Sequence, residues 1–130
     1  MKAVAGLWID HRRAVIAMVS DKGEETRVIE SHAEKHPGTV SSVPHESQRV
    51  QADDSRDREF MGHLRPYYDA VIAAIRGAEA ILIFGPGEAK GELRKRLEKD
   101  RMDARVVAVE TTDKMSERQI ASKVREFFLT

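Results

Sequence analysis

Blocks of apolar residues separated by short polar breaks run through the N-terminal part of the chain. Residues 3–9 are almost continuously apolar and close at Asp10, as a strand covered on both faces would. Asp10-His11-Arg12-Arg13 is a polar break of hairpin length. Ala14 to Val19 is a second apolar run, expected to pair antiparallel with the first. Asp21-Lys22-Gly23-Glu24 reads as another turn. Glu25 to Ser31 is β-prone but far more polar, which predicts an edge strand whose charge discourages sheet-to-sheet association.

The pattern then changes. Residues 32–56 hold Pro37, Gly38, Pro44, several serines and three histidines, with almost no apolar periodicity. A long loop is expected there, and such loops in compact domains are functional or disordered. From about Asp54, helical spacing returns at Phe60, Leu64, Tyr68, Val71, Ile72 and Ile75. Pro66 is expected to kink or split this helix near Arg65, and Gly77 to stop it. A strand follows at about 79–84.

Gly85-Pro86-Gly87-Glu88-Ala89-Lys90 then reads as a sharp turn into a helix. The glycines permit backbone angles other residues avoid, and Glu88 complements the helix dipole. On the helix from about Glu88 to Lys99, Ala89, Leu93 and Leu97 share one face, with Lys90, Arg94 and Arg101 alongside. Residues 105–109 predict a fifth strand. Ser116 with Gln119 forms a capping box for a last helix buried through Ile120, Val124, Phe127 and Phe128.

The element order is thus β-β-β-α-β-α-β-α. Right-handed crossovers and an edge-like third strand favour one five-stranded mixed sheet ordered 3-2-1-4-5, with helices on its faces. This α/β arrangement is the topology of ribonuclease H-like domains. At 130 residues, 1–130 is expected to form a single domain.

Composition narrows the function classes. Basic and acidic residues balance at 22 each, so total charge does not predict attraction to nucleic acid. The absence of cysteine excludes disulfides, thiolate catalysis and cysteine-ligated zinc, and fits a cytoplasmic protein. The first residues are too short in apolar length for a signal peptide. No apolar run approaches the ~20 residues of a membrane span.

The sequence offers four candidate sites. A two-metal nuclease would gather carboxylates from several elements. Asp10 lies at the end of the first strand, but the fourth ends in Gly85-Pro86-Gly87 rather than an acid, so Asp10 is expected to brace its hairpin. Gly85 and Gly87 could form an anion-binding turn before a helix N-terminus. Lys90 stands where the dinucleotide fingerprint needs its third glycine, and no Walker A spacing is present; tight packing is the simpler reading. His32, His36 and His45 lack an acidic partner at helical spacing and are expected to be solvated, and His11 and His63 are expected to be surface residues. No metal or cofactor is therefore expected. Finally, the helix carrying Lys90, Arg94, Lys95, Arg96, Lys99 and Arg101, with Arg12 and Arg13 at the hairpin tip, could contact RNA phosphates. The alternative is a solvated face neutralised by Glu92 and Glu98.

Leu7-Trp8-Ile9-Asp10-His11-Arg12-Arg13-Ala14 and Ile81-Leu82-Ile83-Phe84-Gly85-Pro86-Gly87-Glu88-Ala89-Lys90 carry a family resemblance. The chain resembles the central domain of archaeal and eukaryotic class-one peptide-chain release factors and of pelota. It looks still more like the small bacterial stand-alone relatives of that domain. The resemblance implies a ribosome-linked role in rescue, quality control or hibernation. It also exposes a departure. Release factors hydrolyse peptidyl-tRNA with a Gly-Gly-Gln loop after the third strand, where this chain has only Gly38-Thr39 and glutamines not preceded by glycine. The expected function is therefore non-catalytic binding to the ribosome or structured RNA, through Arg12, Arg13, His32, His36, His45, Lys90, Arg94 and Arg101. The rival is a protein-interaction or small-anion-binding module. A homo-oligomer through the edge strand is open to either.

Overall fold

The first strand, β1 (Val4–Ile9), occupies the centre of the sheet. Leu7 lies opposite Ile16 of the antiparallel β2 (Arg13–Ser20) and opposite Ile83 of the parallel β4 (Ala80–Gly85). Beyond β2 lies β3 (Gly23–Glu30), and beyond β4 lies β5 (Val106–Thr111), giving the order β3-β2-β1-β4-β5. The expected topology is the observed one. The computed structural model describes residues 3–31, 62 and 64–129. The segment 32–56, with His32, His36 and His45, lies outside the described residues, as does His63.

Helices cover both faces. Residues 64–75 form α1, and α2 (Ala89–Lys99) packs on the same side. Together they bury Leu7, Ile9, Ile16, Ile81 and Ile83 under Leu64, Val71, Ile72, Leu93 and Leu97. The other face holds Trp8, Val15, Leu82 and Phe84 under Ile120 and Val124 of α3 (Glu117–Leu129). Continuous apolar sequence in β1 and β4 follows directly from this double coverage. The sheet approaches α3 closely at Gly6, where a Cβ would lie 2.3 Å from Val124 Cγ2.

Pro66 is exposed near the start of the described helical residues 64–75, in the first turn where a proline is tolerated. The stretch before it, with Phe60 and the short first helix expected there, lies outside the described residues apart from residue 62. The capping box forms as expected. Gln119 N donates to Ser116 Oγ at 3.1 Å, and Ser116 N donates to Gln119 Oε1 at 2.9 Å. Phe128 packs partly buried against the same cluster as Ile120 and Val124, but Phe127 is 41% exposed and meets Phe128 edge-on at 5.0 Å. β3 is an edge strand, exposed along nearly its whole length.

Candidate nucleic-acid interface

The carboxyl ends of β1 and β4 lie side by side, and the two motifs singled out in the sequence meet there. After β1 the chain turns at Asp10. Its Oδ1 accepts the backbone N–H of Arg12 at 2.8 Å and of Arg13 at 2.9 Å, an Asx-type brace. Asp10 N donates to Arg13 O at 3.0 Å, closing the hairpin. Two outside hydroxyls hold the tip. Tyr67 donates to Asp10 O at 2.8 Å, and Ser31 Oγ donates to His11 O at 2.5 Å. Asp10 therefore has the bracing place its sequence position predicted. Among the described residues, no group of three or more metal-ligating side chains gathers around it or elsewhere.

After β4, Gly85 adopts φ 148° and Gly87 φ 68°. The two glycines have different reasons. A Cβ on Gly85 would lie 2.3 Å from Ile9 O, so the close β1–β4 approach needs its absence. Gly87 faces open space and is required only by its left-handed backbone. Lys90 folds back over the turn, Nζ donating to Gly87 O at 2.5 Å. Between turn and hairpin is an open recess of about 340 Å³, lined by Asp10, His11, Arg12, Pro86, Gly87, Glu88 and Ala89. Its charge is mixed, because Asp10 and Glu88 face the same space as Arg12.

Glu92 ties the two motifs together. Its Oε1 accepts Tyr68 Oη at 2.6 Å and bonds His11 Nε2 at 2.9 Å. The hairpin tip, α1 and α2 are thereby joined through one carboxylate. His11 lies at the surface as expected, its side chain 28% exposed, but it is held by Glu92, which is therefore not a solvated partner of α2's own bases. Burial, with the Glu92 hydrogen bond second, pushes the Tyr68 hydroxyl well above the usual tyrosine range. Burial first, then the Asp10 charge, does the same to Tyr67. Sequence periodicity marked Tyr68 only as core and passed over Tyr67. The signal available was two adjacent tyrosines at a buried helix face, each needing a partner for its hydroxyl.

The expected contact residues are distributed unevenly. Arg12 lies in the recess near the Gly87 turn that Lys90 covers. Arg13 turns away, its guanidinium 5.5 Å from the centre of the Trp8 ring. Arg94 is half-exposed and stands 4.0 Å from Glu98, an i,i+4 pair. Arg101 lies beyond α2, whose eleven residues span roughly 16 Å. It occupies the left-handed position (φ 61°) of a Schellman ending. Met102 N donates to Leu97 O at 2.8 Å and Arg101 N to Glu98 O at 3.0 Å. Lys95, Lys99 and Arg101 are exposed, and no described residue pairs with them. Arg96, by contrast, is bonded to Asp69 of α1.

The fold is similar to that of a solved Pelota structure. A crystal structure of the Pelota protein of Thermoplasma acidophilum is similar over 99% of this chain at TM-score 0.56 and 14% identity. A Pelota structure from Archaeoglobus fulgidus is similar over 98% at TM-score 0.49 and 12% identity. An archaeal translation termination factor is similar over 98% at TM-score 0.40 and 17% identity. The chain spans 32% of the length of each Pelota structure and 40% of the termination factor. No protein-family model and no curated protein sequence matches the chain. At such identities the likeness shows the fold. Among the described residues, no helix is long and apolar enough to cross a membrane.

Proposed function

We propose that this chain is a non-catalytic, cytoplasmic, translation-factor-like domain that binds the ribosome or structured RNA and uses no cofactor. The observation that carries the reading is the exposed basic row of α2, anchored at its N-terminal end to a braced hairpin tip. Arg12, Lys90, Arg94 and Arg101 are its contact residues. Arg13 joins them by leaving the Trp8 ring, and His32, His36 and His45 act from the segment after β3. The motif resemblance and the Pelota-like fold support the ribosomal setting. In this reading Gly85 and Gly87 form a joint that aims α2. The carboxylates of Asp10 and Glu88 disfavour a small anion in the recess beside them.

Sucrose-gradient fractionation of the tagged protein, in growth and under stress, tests the setting. Co-sedimentation with ribosomal particles in at least one condition is expected. Recovery wholly in the light fractions under every condition overturns the proposal. Where RNA is the partner, affinity falls steeply with added salt as counterions are released. A partner held by apolar contacts alone responds little to salt.

A further inference from the structure

β3 hydrogen-bonds β2 on one side, and no described strand pairs its other side. Such an edge is a template for another strand, and its charges decide which strands it accepts. Glu25 and Arg27 project from one face with side chains 68% and 56% exposed, 3.6 Å apart along the strand. Thr26 lies between them on the other face.

We propose that β3 pairs antiparallel with β3 of a second copy of this chain, about a two-fold axis at Thr26. The result is one continuous sheet across a homodimer. In an antiparallel pair, opposed residues share a face, so a two-fold axis normal to the sheet passes through a single residue position. Centred on Glu25, the arrangement sets that carboxylate against its own copy. Centred on Arg27, it sets two guanidiniums together and Glu24 against Glu30. Centred on Val28, it gains no opposite-charge pair. Centred on Thr26, it places Glu25 opposite the partner's Arg27, and Arg27 opposite the partner's Glu25. Thr26 then faces Thr26, and overlap runs from Gly23 to Ile29. The charges that reject neighbouring registers therefore select this one. A single strand pair is a small interface, so the dimer is concentration-dependent rather than permanent.

Sedimentation velocity from micromolar to millimolar protein tests this, with Glu25→Arg, Arg27→Glu and the double reversal. Both positions are exposed, and circular dichroism establishes that each variant is folded. The wild type is expected to pass from monomer to dimer across the range. Each single reversal should raise the dissociation constant about tenfold, because it turns both cross-axis attractions into repulsions. The double reversal should restore dimerisation. A wild type that stays monomeric throughout overturns the proposal. So do single reversals without effect, or a double reversal no better than its parents.

Discussion

His11 Nε2 lies 2.9 Å from Glu92 Oε1, and this contact joins residues 81 positions apart. The same oxygen accepts the Tyr68 hydroxyl, which is almost wholly buried. Removing the carboxylate strands that hydroxyl as well as freeing the histidine. Glu92→Ala is therefore expected to lower the unfolding free energy by about 1–3 kcal/mol, and Tyr68→Phe by about 1 kcal/mol. Urea denaturation of both single variants and the double measures this. The double variant should lose less than the sum, because the two residues share one interaction.

Tyr67 and Tyr68 are the chain's two tyrosines, so tyrosinate absorbance reports on them alone. Both hydroxyls titrate above the ordinary tyrosine range in the folded protein. Tyrosine charges on losing its proton. The folded state thus holds protons that the unfolded state releases above about pH 10. This contribution to stability is fully present below that pH and is lost as pH rises toward the folded values. The decline steepens as both tyrosines ionise in the unfolded state while staying protonated in the folded one. Absorbance at the tyrosinate band should rise together with loss of far-ultraviolet dichroism, not before it. Tyrosinate forming in a still-folded protein would contradict the assignment of both hydroxyls.

The sheet order was readable because each apolar run had one role and the charged third run could only be an edge. Asp10 and the Ser116–Gln119 box were readable because their partners lie within three residues. His11, Glu92 and Tyr67 were not. Their partners come from elements distant in sequence, and local spacing on α2 offered Glu92 a nearer basic neighbour instead. Arg101 was aligned with Lys90 and Arg94 by helical phase, but the helix had already ended at Lys99. Phe127 fits the apolar phase of α3 yet is 41% exposed.

Gly85 and Gly87 look equivalent in sequence and should separate sharply on substitution. A Cβ at Gly85 meets Ile9 O at 2.3 Å, a backbone atom that cannot move without disturbing the β1–β4 pairing. Gly85→Ala is expected to cost at least about 3 kcal/mol by combining this overlap with backbone strain. Gly87→Ala meets no atom within 4 Å and carries only the left-handed penalty, about 1–2 kcal/mol. Thermal unfolding monitored by circular dichroism compares them. Equal losses would mean that β1 and β4 do not approach as closely at Gly85 as described.

Arg101 separates stability from binding. Its left-handed backbone at the end of α2 is strained for any L-residue with a side chain, by about 1–2 kcal/mol. Glycine relieves that strain but adds unfolded-state freedom worth about 0.4–1 kcal/mol. Arg101→Gly should therefore stabilise the protein by about 0.5–1 kcal/mol. Arg101→Ala, which keeps the strain, should gain nothing. Both variants remove the same exposed charge. If Arg101 touches a phosphate, both should weaken RNA binding alike and lower its salt slope by about one. A stabilised Arg101→Gly protein that binds as tightly as the wild type would leave the helix ending as described and remove Arg101 from the interface. Weaker binding by a more stable protein could not be attributed to unfolding, which makes this variant the most direct probe of the basic face of α2.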